Sequence, residues 1–407
     1  MPANTWNYIS RQQAPYPEII SFRPEPDTMR LLLFIDWFSP GYKAGGQISS
    51  CANIIHALKE EPWDIYIITR DRDLDDDNAY ENIAIDEWNV FQRNTKVMYL
   101  SPARTNYNTI RKLVEEIKPD TVYFNSMFSY KFTLVPLWVV KNSSRSNKVI
   151  LAPRGMLQSG ALQFKSFKKK AALSFLHYSG LLKNILFHAT DEVEVADIEK
   201  NIHGRLRVKM VYDFPTMLQA PYTDIEKGKG ELKCLFISRV VGKKNLLYFL
   251  QLLAETKKRI SLTIIGPVED EEYWRQCLQQ INRLPATCVV HYKGSVPNAD
   301  LGGIYRGHHL FVLPTHGENF GHVIFDSFLN GRPVLISDQT PWRGLEEKKM
   351  GFDVNLADKD KFKDCLEYFA DMDFPEFDSW SRNAWLFGQE RIEQLKGLTD
   401  EYKSLFN

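Results

Sequence analysis

The residues with the most pointed chemistry lie in one short stretch, Glu318-Asn-Phe-Gly-His-Val-Ile-Phe-Asp326. An ionised Glu318 only accepts hydrogen bonds, which suits hydroxyl groups. Backbone N–H groups around Phe320 and Gly321 open a helix, so they favour an anion or an oxygen-rich ligand. Gly321 lets that ligand approach the main chain closely. Asp326 falls about two turns along the same helix and would reach a second part of the ligand.

These groups need a rigid frame. Leu310 to Leu313 is apolar enough for a buried strand, and Pro314, Gly317 and Asn319 mark the loop after it. Val323, Ile324, Phe328 and Leu329 recur at helical spacing, and Gly331 and Pro333 end the helix. Val334 to Ile336 is the next strand. A strand–loop–helix–strand unit belongs to a parallel sheet, and ligands of such sheets sit beyond the carboxyl ends of the strands. A second loop has a related form. The strand Leu31 to Ile35 runs into a segment containing Gly41, Gly45 and Gly46, before a helix near Ser49 to Lys59. A glycine-rich loop of this kind can cradle phosphate, although its spacing fits neither the dinucleotide fingerprint nor the Walker loop. Read from its residues alone, it serves equally as an ordinary strand-to-helix connection.

The carboxylate pair, followed by Gly331-Arg-Pro-Val334, resembles the motif of retaining GT-B glycosyltransferases of family 4, the group 1 type. The likeness runs over nearly the whole chain, with one departure: Asp326 stands where the family usually has Glu. The resemblance implies an α/β protein of two doubly wound Rossmann-like domains facing across a cleft. It implies transfer of a hexosyl or N-acetylhexosaminyl group from a UDP-, GDP- or ADP-sugar to a hydroxyl, without metal or other cofactor. Arg239 and Lys244 stand in Ser238-Arg-Val-Val-Gly-Lys-Lys-Asn245 at the family's spacing for gripping a diphosphate, with Lys243 beside them. Two fixed cations suit a leaving group that gains charge as the sugar bond breaks.

The same resemblance gives Glu318, Arg239 and Lys244 the catalytic roles. Asn319, Phe320, Gly321, Asp326, Gly294, Ser295, Val296, Gly45 and Gly46 become donor-binding residues. Arg154 and Gly155 fall on the acceptor side, where many members place a histidine. Asp326 in place of Glu and the missing histidine keep two rivals open: a non-catalytic sugar-nucleotide-binding partner, and a nucleotide-sugar epimerase of the same fold.

The 407 residues suit two domains of about 200 each. Alternating strand and helix patterns, from Ile65 to Thr69 through Ile185 to Ala189 and again from Cys234 onward, make the sheets parallel. The expected layout is a leader at 1–29, an acceptor domain at 30–214, a linker at 215–231, a nucleotide-sugar domain at 232–385, and a final helix at 386–407 packing back on the first domain. Lys+Arg and Asp+Glu both number 51, so overall charge gives no argument for nucleic acid. Five cysteines without a close-spaced pair fit a reducing, cytoplasmic compartment. The N-terminus reads without a signal peptide, and no apolar run is long enough to span a membrane.

Two charged segments remain. Asp71, Asp73, Asp75 and Asp77 make overlapping Asp-x-Asp patterns, which hard cations favour, but they read as a solvated acidic surface loop. Residues 162–176 mix Lys165, Lys168, Lys169 and Lys170 with Phe164, Phe167, Leu173 and Leu176. Such a helix either lies on an anionic bilayer, which a lipid-linked glycan acceptor at the inner membrane face would make sensible, or presents a solvated lysine face over an apolar core.

Overall fold

The computed structural model describes residues 28–145, 147–158, 166–217 and 221–407, with 166–170 described as backbone only. The first sheet is built from β1 (Met29–Phe34), β2 (Trp63–Arg70), β3 (Trp88–Gln92), β4 (Thr95–Leu100), β5 (Thr121–Phe124), β6 (Lys148–Leu151), β7 (Leu186–Ala189) and β8 (Arg207–Met210). Their spatial order is β3-β4-β2-β1-β5-β6-β7-β8, parallel throughout except for the antiparallel β3–β4 pair. The second sheet is built from β9 (Glu231–Ile237), β10 (Arg259–Ile265), β11 (Cys288–Tyr292), β12 (Leu310–Leu313), β13 (Val334–Ser337) and β14 (Gly351–Val354). It is wholly parallel in the order β11-β10-β9-β12-β13-β14.

The central strands are apolar because both of their faces are covered by helices. Leu31, Leu32, Leu33 and Phe34 in β1 are fully buried, as are all four residues of β12. The α/β class and the two Rossmann-like units therefore stand as expected. The edge strands β3 and β8 and the short β14 were not legible in sequence. β3 and β8 are largely half-buried or exposed, so they lack the continuous apolar run that marks the centre.

Strand order reverses between β1 and β5 in one sheet, and between β9 and β12 in the other. A crevice opens where the connections leave in opposite directions from neighbouring strands, and ligands of this architecture bind there. β9 and β12 are hydrogen-bonded neighbours, so the loops at 238–245 and 314–321 emerge side by side. That adjacency brings Lys244 to Glu318 from far apart in sequence.

The chain end returns to the first domain. Leu395, Leu398, Tyr402, Leu405 and Phe406 join the core cluster of Leu31, Leu33 and Ile65. Phe406 packs edge-on against Tyr123 and Trp63, with ring centroids 5.4 and 6.4 Å away. Among the described residues no helix is long and apolar enough to cross a membrane. Of the basic segment at 162–176, residues 162–165 lie outside the described residues and 166–170 are described as backbone only; Ser166–Tyr178 is helical, and Leu176 is buried.

Candidate active site

A cleft of about 270 Å³ lies between the two sheets. Its second-domain wall begins with the turn Gly242–Lys244, closed by Asn245 in the left-handed region at φ 59°. Lys244 Nζ ion-pairs with Glu318 Oε1, and both side chains are largely buried, with 14% and 12% exposed. Burial pushes the Glu318 carboxyl up, but Lys244, Lys243 and a hydrogen bond from Thr315 outweigh it, so the group sits below its ordinary range and is ionised. His316 N donates to Lys243 O at 2.8 Å, which stitches the two loops together. Arg239 also lines the cleft, but its guanidinium is 38% exposed and pairs with Glu269 rather than standing beside Lys244.

Gly321, at φ 76°, is the N-cap of the helix His322–Leu329. A Cβ there would meet the terminal Cδ1 of Ile324 at 2.9 Å, and the left-handed backbone is what calls for glycine. Trp342 Nε1 donates to Phe320 O at 2.6 Å and fixes the turn from behind. Because the helix begins at His322, Asp326 lies about one turn in and not two. Loss of water pushes its carboxyl up to about 6, against lowering by His322 and by a hydrogen bond from Thr216. Ser295 and Val296 line the cleft, whereas Gly294 does not: its carbonyl accepts from Gly266 N at 2.8 Å behind the wall.

The first-domain wall is the glycine loop. Gly45, at φ 75°, precedes the helix Gly46–Ala57. A Cβ on Gly46 would come within 2.9 Å of His322 Cδ2, so the two helix starts touch only because residue 46 has no side chain. The acidic run is not a solvated surface. Asp73 is 4% exposed, and its carboxylate accepts from Tyr42 N at 2.7 Å and Lys43 N at 3.1 Å, fastening the glycine loop. Asp71 is 2% exposed and paired with Arg72, while Asp75 and Asp77 face water. Two acids of the run are buried because the loop amides and one guanidinium satisfy them.

Arg154 also departs from expectation. It borders the cleft but its guanidinium is buried and spent on Asp213 (2.8 Å), Asn125 (2.8 Å) and Tyr123 (2.8 Å). It is a structural cation, not one aimed at an acceptor. The Gly155 N–H is likewise spent, donating to Glu194 Oε1 at 2.6 Å. The helix Glu192–Asn201 is capped by Asp191, whose side chain accepts from Glu194 N, and the Glu194 side chain is buried beneath the loop at 154–158.

Sequence reasoning missed four residues. Asp73 fastens the glycine loop, and Glu194 fastens the loop at 154–158. Asp213 accepts from Arg154 and Ser50, and His322 Nε2 lies 3.0 Å from its other oxygen, across the domain boundary. Although burial raises the Asp213 carboxyl, Arg154 and His322 hold it well below its ordinary value. His322 gave a signal in advance as the one imidazole inside the carboxylate motif, and Asp73 as a member of the Asp-x-Asp run, although it read as solvated. Further cross-domain bonds join Asn319 Nδ2 to Thr190 Oγ1 at 2.7 Å and Asn298 Nδ2 to Ser49 Oγ at 3.2 Å.

Residues 231–371 match the model of the glycosyl transferases group 1, and residues 46–156 match that of the glycosyl transferase 4-like proteins. The chain belongs to the group 1 glycosyltransferase family. The group 1 match contains the second-domain wall of the cleft, and the other begins at Gly46, the last residue of the glycine loop. This family member is 32% identical over 112 residues to the O-antigen chain mannosyltransferase B of Escherichia coli, a match spanning 26% of this chain and 28% of that relative's length. Over 93% of the chain it resembles a sucrose-phosphate synthase from Thermosynechococcus elongatus, of which 98% is covered, with a TM-score of 0.66 at 15% identity. The Anabaena protein HepE, solved with UDP-glucose, gives a TM-score of 0.65 at 16% identity, with 92% of this chain and 99% of that chain covered. WaaG, a glycosyltransferase involved in lipopolysaccharide biosynthesis, gives 0.64 at 12%, with 93% of this chain and 100% of that chain covered. These likenesses show the shared two-domain GT-B fold.

Proposed function

We propose that this protein transfers a sugar from a nucleoside diphosphate sugar to a hydroxyl acceptor with retention of anomeric configuration. The observation that carries the reading is the buried Lys244–Glu318 pair, set beside the glycine-capped turn at 319–321 in the crevice between the domains. A diphosphate drawn to Lys244, with Lys243 and Arg239 flanking, places its sugar against Glu318. The cations stabilise the charge that grows on the departing diphosphate. Glu318 accepts hydroxyl hydrogens of the sugar, and the turn amides receive its remaining oxygens. Asp326, one turn further along, accepts from the ribose. Residues 30–214 then supply the acceptor side.

The positive charge at the leaving group comes from side chains, so transfer runs without added metal, and full activity is expected to survive EDTA. Loss with EDTA and recovery with Mn²⁺ would contradict that part. The similarity to an O-antigen mannosyltransferase makes a mannosyl group and a surface-polysaccharide acceptor the first to try. Thermal melting against UDP, GDP and ADP, and against their sugars, tests the donor class, since a ligand of the native state raises the melting temperature. With the donor chosen, NMR of the first-formed product reads its anomeric configuration. No shift with any nucleotide would sink the reading, and an inverted product would sink its retaining half. Release of a C2-epimeric sugar nucleotide without acceptor would favour the epimerase instead.

A further inference from the structure

The turn that takes the donor is held partly by the other domain. Asn319 follows Glu318 directly, and its Nδ2 donates to Thr190 Oγ1 at 2.7 Å, just past the carboxyl end of β7. The Thr190 hydroxyl in turn donates to Glu194 Oε2 at 2.8 Å. Glu194 also accepts from Thr190 N at 2.8 Å and Gly155 N at 2.6 Å, so both of its oxygens act as acceptors. With its one proton committed to Glu194, the Thr190 oxygen has only lone pairs left for Asn319. Asn319 must therefore present its NH₂ to Thr190, and its Oδ1 is left without a protein partner. A chain of hydrogen bonds thus runs from the loop at 154–158, through Glu194 and Thr190, to the residue beside Glu318. Thr190 is 4% exposed and Glu194 1%, so water does not compete for these bonds.

We propose that Thr190 and Glu194, both in the first domain, are positioning residues for the donor turn 318–321 of the second, so that the turn takes its ligand-binding shape when the domains meet. This rests on the donor reading above for its consequence in catalysis, but not for its geometry. A substrate settling against the loop at 154–158 is then felt beside Glu318 through three side chains, those of Glu194, Thr190 and Asn319.

The discriminating pair is Thr190→Val, which keeps the shape and removes the hydroxyl, against Thr190→Ser, which keeps the hydroxyl. The first measurement needs no substrate. Glu318 N donates to Gln339 O, and Ile324 N and Phe325 N donate to Gly321 O, so these amides report on the turn by hydrogen exchange. Loss of one buried hydrogen bond predicts about fivefold faster exchange there in Thr190→Val. Thr190→Ser should exchange like the native protein. The second measurement uses whichever nucleotide sugar shifts the melting temperature. Thr190→Val should lower kcat about tenfold while the Kd of the bare nucleoside diphosphate, which rests on Lys244, changes less than about twofold. Thr190→Ser should restore most of the turnover. If Thr190→Val does not fold, Asn319→Ala removes the same bond from its other end and should loosen the same amides. Native exchange at Glu318, Ile324 and Phe325 in either bond-deleted variant overturns the inference. Equal loss of turnover in Thr190→Val and Thr190→Ser overturns it as well. Absence of nucleotide binding by the native protein would instead remove the donor reading and leave the exchange result to decide the geometry.

Discussion

Lys244 and Asp326 make the sharpest claims among single residues. Lys244→Ala removes the charge facing Glu318 and leaves that carboxylate buried without its partner. Turnover should fall about a hundredfold or more, the scale of losing one preorganised charge at a developing anion. Steady-state kinetics on the variant check this, and near-native kcat/KM would be inconsistent with the role. Arg239, engaged with Glu269 at the rim, should cost less when changed to Ala. Asp326 gives a pH signature. Its carboxyl is raised from 3.8 to about 6, so the folded protein keeps a proton that the unfolded chain has lost across that window. Stability from this group is therefore greatest below the ordinary carboxyl range and declines as pH rises through about 6. Donor binding should run the other way, tightening through the same window, because only the ionised form accepts from two ribose hydroxyls. Nucleotide titrations at several pH values check it. Asp326→Asn should flatten the trend, and a native-like slope in that variant would assign the titration elsewhere.

At the level of elements, the site is made of loop ends fixed by backbone geometry. The helices beginning at Gly46 and His322 approach head to head, and a Cβ at residue 46 would intrude on the His322 ring at 2.9 Å. Gly46→Ala should part the two helix starts and strain the His322–Asp213 bond. We expect the melting temperature to fall by a few degrees, matching about 1 kcal/mol, with weaker nucleotide affinity. Calorimetry with and without nucleotide measures both, and unchanged affinity would show that the approach of the two helices does not matter for the ligand. The strand–loop–helix–strand unit at 310–337 was legible in sequence because β12 is apolar throughout and Gly331 and Pro333 punctuate the helix. The acidic loop was not. Alternating aspartates look solvated in any local reading, and only the amides of Tyr42 and Lys43, some thirty residues away, give Asp73 a reason to be buried.

Across the whole molecule, the closing helix Leu398–Phe406 ties the chain end to the first domain. Phe406 is fully buried among Trp63, Tyr123 and Tyr402, and its carbonyl accepts from Thr121 Oγ1 at 2.8 Å. Phe406→Ala should cost about 3–5 kcal/mol of stability, as large-to-small changes in a packed core do. Denaturant unfolding followed by tryptophan fluorescence measures it. A loss below about 1 kcal/mol would mean that the helix docks only loosely.

The sequence by itself determined the class of the fold, the position of its key unit and the turn at Gly321. Those follow from local rules: apolar runs set strands, 3.6-residue spacing sets helices, and glycine marks turns that other residues cannot make. Tertiary structure alone decided which charges were free. Arg154 read as a cation available to a ligand until Asp213, Asn125 and Tyr123 were found around it, and Arg239 until Glu269 was found beside it. His322 read as one residue of a motif until the domains met around it. A side chain's partners are set by strand order and domain packing, which join residues 30 to 249 positions apart around this one cleft, and no local pattern encodes those distances.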